Sequence, residues 1–175
     1  MIKKSLRKVI CILLILSLCS CSIKESYIEF KIKGIENFNA GDSSSWDDME
    51  FAFVEDILLV PSIKQINHGT YILYVSAYTR SKPDNVVVKS VVMTENEKNI
   101  LSNQTQQKIV FDLTDNNIFD GYIKAGTFDN TNNTIVDGNI IKLTISIEVR
   151  KESVSFIEDK NYEITVKGYK SLVMR

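Results

Sequence analysis

No cysteine follows Cys21. The chain's three cysteines, Cys11, Cys19 and Cys21, all fall within its first 21 residues. The remainder therefore has no internal disulfide, even in an oxidising compartment, and must be held by burial and backbone pairing. Histidine is nearly absent too: His68 stands alone. One histidine and no thiolate beyond the N-terminal region exclude an ordinary structural zinc site. As a catalytic base His68 would need a nucleophile and an orienting partner, and no motif supplies either. Next to Gly69 it reads as a solvated turn residue. Two prolines, Pro61 and Pro83, are too few for a proline-rich linker. No segment after Leu18 keeps helical periodicity for three turns, and residues 95–107 offer at most a single turn. There is no internal repeat.

Positive charge is scarce outside the N-terminus. Residues 1–20 hold four basic residues, Lys3, Lys4, Arg7 and Lys8, and no acidic one. Residues 21–175 carry 17 basic against 22 acidic residues, a formal charge of −5. That balance provides no stripe to meet a phosphate backbone, so nucleic acid is not an expected partner. A part of about 150 residues is one domain's worth, enough to bury roughly 68–70% of its unfolded surface.

The N-terminus has its own grammar. The basic stretch leads into residues 9–18, VICILLILSL, apolar apart from Ser17. Ten residues are too few to span a bilayer, which takes about 20. A basic flank, a short apolar run and small residues before a cut describe a secretory signal. The sequence Leu18-Cys19-Ser20-Cys21 then resembles the cleavage site of bacterial lipoproteins. The resemblance covers residues 1–21 only. It implies cleavage before Cys21 and a diacylglycerol thioether on its sulfur. It also implies further acylation, palmitate for instance, of the new N-terminus. One acyl chain gives marginal anchoring at about 0.8 kcal/mol per buried CH₂, and several together give a stable one. Ser22 after the cysteine is compatible with the periplasmic side of an outer membrane, if the host has one. The expected organisation is a signal peptide over 1–20, a lipid-anchored segment over 21–26 and a single β domain over 27–175.

The body of the chain alternates. In IKLTISIEVR, residues 141–150, Ile141, Leu143, Ile145, Ile147 and Val149 point one way and Lys142, Thr144, Ser146, Glu148 and Arg150 the other. A period of two carried by β-branched residues predicts a half-buried strand. The same pattern predicts strands over 27–33, over 108–113 (Ile109, Phe111 and Leu113 inward) and over 161–167 (Tyr162, Ile164 and Val166 inward). Residues 70–79 and 85–93, rich in Tyr and Val, predict central strands. MEFAF (49–53) and ILLVPSI (57–63) predict two more, with Pro61 confining the latter to an edge or bulge. Residues 121–128 form a further strand weakened by Gly126. Turn chemistry separates them at 67–69, 82–85, 115–117 and 137–139. Seven to nine short strands predict an all-β fold: an antiparallel two-sheet sandwich of immunoglobulin-like architecture, with a closed lipocalin-like β-barrel as the alternative.

Chemistry is thin along this frame. Residues 129–139 offer Asp129, Asn133 and Asp137 as oxygen donors. A calcium loop of the EF-hand type needs Gly at its sixth position and Glu at its twelfth, where this chain has Thr134 and Ile140. A polar loop is the better account. Residues 41–51, GDSSSWDDMEF, hold the sole tryptophan, Trp46, amid Asp42, Asp47, Asp48 and Glu50. Trp46 is either a core residue that pins this loop or an exposed anchor with an acidic rim at Asp47 and Asp48. Tyr74 and Tyr78 share a strand face and pose the same choice. No catalytic residues, metal ligands or cofactor are expected. The reading is a membrane-tethered, non-enzymatic protein-binding module, for example in toxin immunity or secretion-machine support. A binder of small ligands or carbohydrate is the alternative.

Overall fold

The computed structural model describes residues 23–83, 85–132, 134–151 and 154–173. The expected signal peptide and Cys21 lie outside them. Residues 29–167 form one compact unit; residues 23–28 and 168–173 belong to a second, in which the Tyr27 and Tyr169 rings stack with centroids 5.1 Å apart. Among the described residues no helix is long and apolar enough to cross a membrane.

The described residues form eleven strands: β1 (Ile23–Ile32), β2 (Phe53–Val54), β3 (Ile57–Asn67), β4 (Thr70–Thr79), β5 (Asn85–Glu95), β6 (Lys98–Asn103), β7 (Gln107–Lys108), β8 (Asp112–Leu113), β9 (Phe119–Asp129), β10 (Ile140–Lys151) and β11 (Val154–Val173). One sheet runs β1-β11-β10-β5-β6, with β7 also on β5; the other runs β2-β3-β4-β9-β8. The two antiparallel sheets pack as a sandwich and do not close into a barrel. The alternation read from the sequence sets the core. Ile141, Leu143, Ile145, Ile147 and Val149 of β10, and Tyr162, Ile164 and Val166 of β11, are all buried. They face Leu59, Leu73, Val75 and Ala77 on the other sheet, also buried. Each fully buried aliphatic side chain of this kind contributes roughly 1.5–3 kcal/mol. Tyr162 ties the layers together, its hydroxyl donating to the Leu59 carbonyl at 3.0 Å; burial pushes its pKa far up.

Two expectations need correction. Residues 108–113 are not one strand. Lys108 pairs with β5 in one sheet while Asp112 and Leu113 pair with β9 in the other, so 109–111 cross between layers. Ile109 is buried there and donates its N–H to the Val86 carbonyl at 2.8 Å, but Leu113 is exposed. MEFAF divides as well: Met49–Ala52 close a 3-10 segment, Ser43–Ala52, before β2 begins at Phe53. A 3-10 turn has three residues, and Trp46, Met49 and Ala52 recur at that spacing, all buried. Met49, at φ −109° and ψ 28°, kinks the segment. Residues 95–107 form no helical turn, within the limit of one that the sequence set. Asn96 and Glu97 both take positive φ (47° and 67°) and reverse β5 into β6, as a two-residue hairpin loop requires.

The marked turns lie between the expected strands, with Gly69 at φ 80° and Gly138 at φ 85°. Of the loop over 129–139, Asn133 lies outside the described residues, and the rest bonds to itself. Buried Asn130 donates to the Ile135 carbonyl (2.8 Å) and accepts from the Ile135 N–H (2.7 Å). Pro61 sits where β3 pairs with β4 alone, since β2 reaches only Ile57 and Leu58.

Glu148 points outward as its position predicts, yet it is only 5% exposed. The pairing of β5 with β10 shifts between Ser146 and Ile147, a bulge that leaves Lys89 as the extra residue. Lys89 Nζ lies 3.1 Å from Glu148 Oε2; Arg150 Nε (2.6 Å) and Ser155 Oγ (2.7 Å) donate to Oε1. The bonds from Arg150, Ser155 and Lys89 hold the carboxyl down to about 2 against an ordinary 4.5. A carboxyl depressed on folding stabilises the fold above its unfolded pKa, and that contribution is lost as pH falls through the folded one. Acid is therefore expected to erode stability progressively from about pH 4.5 to about pH 2. Melting curves across that range should show Glu148→Gln converging on the wild type as the pH falls. A gap of constant size would refute this role.

Candidate functional site

The hairpin joining β2 to β3 has two grooves beside it. Its loop is two residues long, since Val54 pairs with Ile57. Glu55, the first, takes φ 54°, a left-handed conformation that is uncommon for a non-glycine residue. The second, Asp56, is the hub. Its Oδ1 lies 2.9 Å from Lys151 Nζ, and its Oδ2 accepts a hydrogen bond from Ser81 Oγ. Lys151 also approaches Glu55 at 3.8 Å. Partial burial pushes the Asp56 carboxyl up, but the Ser81 and Lys151 bonds outweigh it and the net shift is downward. Lys151 is raised in turn, chiefly by its bond to Asp56. This pair is held fully charged near neutrality, the wrong poise for exchanging a proton there.

One groove, of about 460 Å³, lies on the Lys151 side. Its wall combines Val149 and Lys151 of β10 with Val154 and Phe156 of β11, and Lys82 and Pro83 complete the rim. Val154 and Phe156 are 52% and 39% exposed. The other groove, about 550 Å³, shares Glu55, Asp56 and Ser81 and is otherwise lined by Trp46, Asp47, Glu50, Phe53 and Arg80. Both open to solvent.

Of the two roles the sequence left open for Trp46, the exposed anchor does not fit. The residue is 1% exposed. Its ring packs against Tyr78 (6.2 Å between centroids) and Phe53 (6.5 Å), and Phe38 lies 5.1 Å from Tyr78. The Arg80 guanidinium covers the indole, 5.2 Å from the ring centroid, within cation–π range. The cause is the three-residue spacing of the 3-10 segment, which turns position 46 inward with 49 and 52. The indole N–H is buried without a hydrogen-bond partner among the described residues. Asp47 lines the groove, whereas Asp48 is exposed and does not. Tyr78 is half-buried packing; Tyr74 is partly covered by Lys64, 5.6 Å from its ring. His68 is exposed in the β3–β4 turn. Cys21 cannot be placed against either groove, being outside the described residues.

Asp56, Arg80, Lys151 and Phe156 escaped the sequence reading. They lie far apart along the chain, in segments whose local pattern marks only strand ends. The one readable signal was the pair Glu55-Asp56, polar residues interrupting two apolar runs.

Neither a protein-family model nor a curated protein matches this chain. A solved structure titled "Crystal structure of protein from Archaeoglobus fulgidus" is similar over 67% of this chain and 96% of its own, at 8% identity and a TM-score of 0.36.

Proposed function

We propose that this chain is a lipid-anchored cell-envelope protein whose β-sandwich serves as a non-enzymatic protein-binding module. The anchor rests on the leader and on Leu18-Cys19-Ser20-Cys21. If the host has an outer membrane, the module sits on its periplasmic side. The observation that carries the binding role is the double groove at the β2–β3 hairpin. Its floor is aromatic and aliphatic, its rim charged, and its central carboxylate already neutralised by Lys151. A half-exposed aromatic beside a charged rim is the composition of a protein contact. Grooves open to solvent suit a chain segment better than a small molecule, which is usually enclosed over most of its surface. A sugar ring stacked on Trp46 is disfavoured, because Arg80 already covers the indole.

Labelled palmitate fed to the native host should enter the wild-type protein and not Cys21→Ser. Label in both would refute acylation at that sulfur. In the same cells a photocrosslinker placed at Phe156 should capture a discrete envelope protein, while one at Ile66, exposed in β3, should not. Identical capture from both positions, or from neither, would refute the binding role.

A further inference from the structure

We infer that the open edge of β11, from Val154 to Lys160, pairs antiparallel with the same edge of a second copy of this chain, with a two-fold axis at Ile157. β11 keeps one unbroken register with β10, from Thr165 opposite Ile140 to Val154 opposite Lys151. Val166, the next position along, donates its N–H to the Asn139 carbonyl (2.9 Å) and accepts from the Gly138 N–H (3.0 Å), so it faces the β10 side. Residues of an antiparallel strand turn their N–H and C=O alternately to one neighbour and the other. Even-numbered positions of β11 therefore bond β10, and odd ones point away from it. Glu163 fits this parity: its carbonyl accepts from the Lys33 N–H at 2.9 Å. β1, the other neighbour of β11, ends one residue earlier, at Ile32. Tyr27 of β1 stacks on Tyr169, so β1 runs antiparallel to β11 and covers the part after Glu163, not the part before it. Ser155, Ile157 and Asp159 are left with N–H and C=O groups that meet no strand among the described residues.

Such a row is a template for another strand, and here it is apolar on both faces. Phe156 (39% exposed) lies on the inner face with buried Tyr162 and Ile164, and Ile157 (66%) lies on the outer one. The open edge of β3 is interrupted by Pro61, which has no N–H to offer. That of β11 has no such guard. The strand's own sequence selects a second copy as the occupant. With the axis at Ile157, Ile157 meets Ile157, Ser155 meets Asp159, Phe156 meets Glu158 and Val154 meets Lys160, and no charge directly faces its like. Axes at Glu158, Asp159 or Lys160 would each set a charge directly against its own copy, which is destabilising. Axes at Ser155 or Phe156 would leave Asp159 and Lys160 with no opposite residue in β11. The midpoint of the open edge is thus the axis that both fills it and opposes no like charges. Glu158 is paired with Lys160 of its own strand at 2.5 Å, so it lies beside Phe156 of the second copy as half of a neutral pair. The odd-numbered residues would exchange about six hydrogen bonds across the axis, two for each facing pair.

Dimerisation of this kind does not depend on the partner-binding reading. Facing Ile157 residues would have Cα atoms about 5.5 Å apart, within disulfide reach. In membranes of the native host treated with copper phenanthroline, Ile157→Cys should give a disulfide-linked dimer of the chain. Wild type, with no cysteine after Cys21, sets the background. Tyr122→Cys, similarly exposed (69%) on β9 of the other sheet, should not exceed it. Sedimentation equilibrium of the full-length chain in density-matched nonionic detergent should show a reversible dimer. Ile157→Lys, which opposes two lysines at the axis, should weaken that dimer about ten-fold without altering the circular dichroism spectrum, since the side chain is exposed. Three results would each overturn the inference: equal adducts from positions 157 and 122, an Ile157→Lys dimer as tight as that of wild type, or a wholly monomeric wild type. A photocrosslinker at Ile157 that captures only a different protein would give the edge to that protein's strand and overturn it as well. The photocrosslinker at Phe156 keeps the two proposals apart. It should yield both an envelope-protein adduct and a self-adduct. The first alone would leave the binding module standing and remove the dimer, and the second alone would do the reverse.

Discussion

Trp46→Ala is expected to lower the melting temperature by roughly 10 °C. Truncating a fully buried large aromatic costs about 3–5 kcal/mol, through lost transfer energy and the cavity left behind. A domain of this size loses about 2–4 °C for each kcal/mol. The loss falls on the patch where the 3-10 segment covers the outer face of the sheet, because Tyr78, Phe53 and Arg80 all rest on the indole. Trp46→Phe should cost far less, since a ring remains and the discarded N–H has no partner among the described residues, so no hydrogen bond is lost with it. Thermal denaturation followed by circular dichroism measures both. A shift within about 2 °C for the alanine variant would mean that the patch carries no weight.

Gly121→Ala is the second large effect, expected to cost about 3 kcal/mol. Gly121 lies on β9 beneath the segment that crosses from β7 to β8. An added Cβ would fall almost on the Val110 carbonyl oxygen and 2.7 Å from Ile109 Cγ2. The obstacle is backbone on one side and a buried side chain on the other, so neither can swing away. The crossing must lift, and with it the bond from the Ile109 N–H to the Val86 carbonyl. Urea unfolding should show a lowered midpoint, and hydrogen exchange should show faster loss of protection at Ile109. Gly138→Ala would be costly for a different reason: no atom lies within 4 Å of its would-be Cβ, but its φ of 85° is one that alanine adopts only under strain. A wild-type midpoint for Gly121→Ala would mean that the crossing is free to move.

Much of the sandwich is legible in the sequence, and for one reason. Where a strand buries one face, its side chains alternate with a period of two. Positions 141–149 and 162–166 announce their strands and their inward faces in the same stroke. The misses share a cause of their own. Residues 108–113 alternate as a strand does, but each half pairs in a different sheet, and alternation carries no information about the partner. The Trp46 segment repeats every three residues, a period that matches neither the two of a strand nor the 3.6 of an α-helix.

The candidate site is half legible. Asp47 and Asp48 both stand out among their neighbours in sequence, but only Asp47 reaches the groove. Trp46 is conspicuous by its chemistry, and one of the two roles that chemistry allows is wrong, because exposure is decided by what packs on a residue. Arg80 and Phe53 cover it, and neither is marked by a local pattern.

By itself the sequence determined most of the strands and which of their faces turn inward, because each is written in residues close together along the chain. Tertiary structure alone decided which sheet each strand joins, where the chain crosses between layers, and that Asp56, Ser81, Lys151 and Trp46 meet around one hairpin. Those depend on contacts between residues tens of positions apart, and local chemistry does not encode such distances.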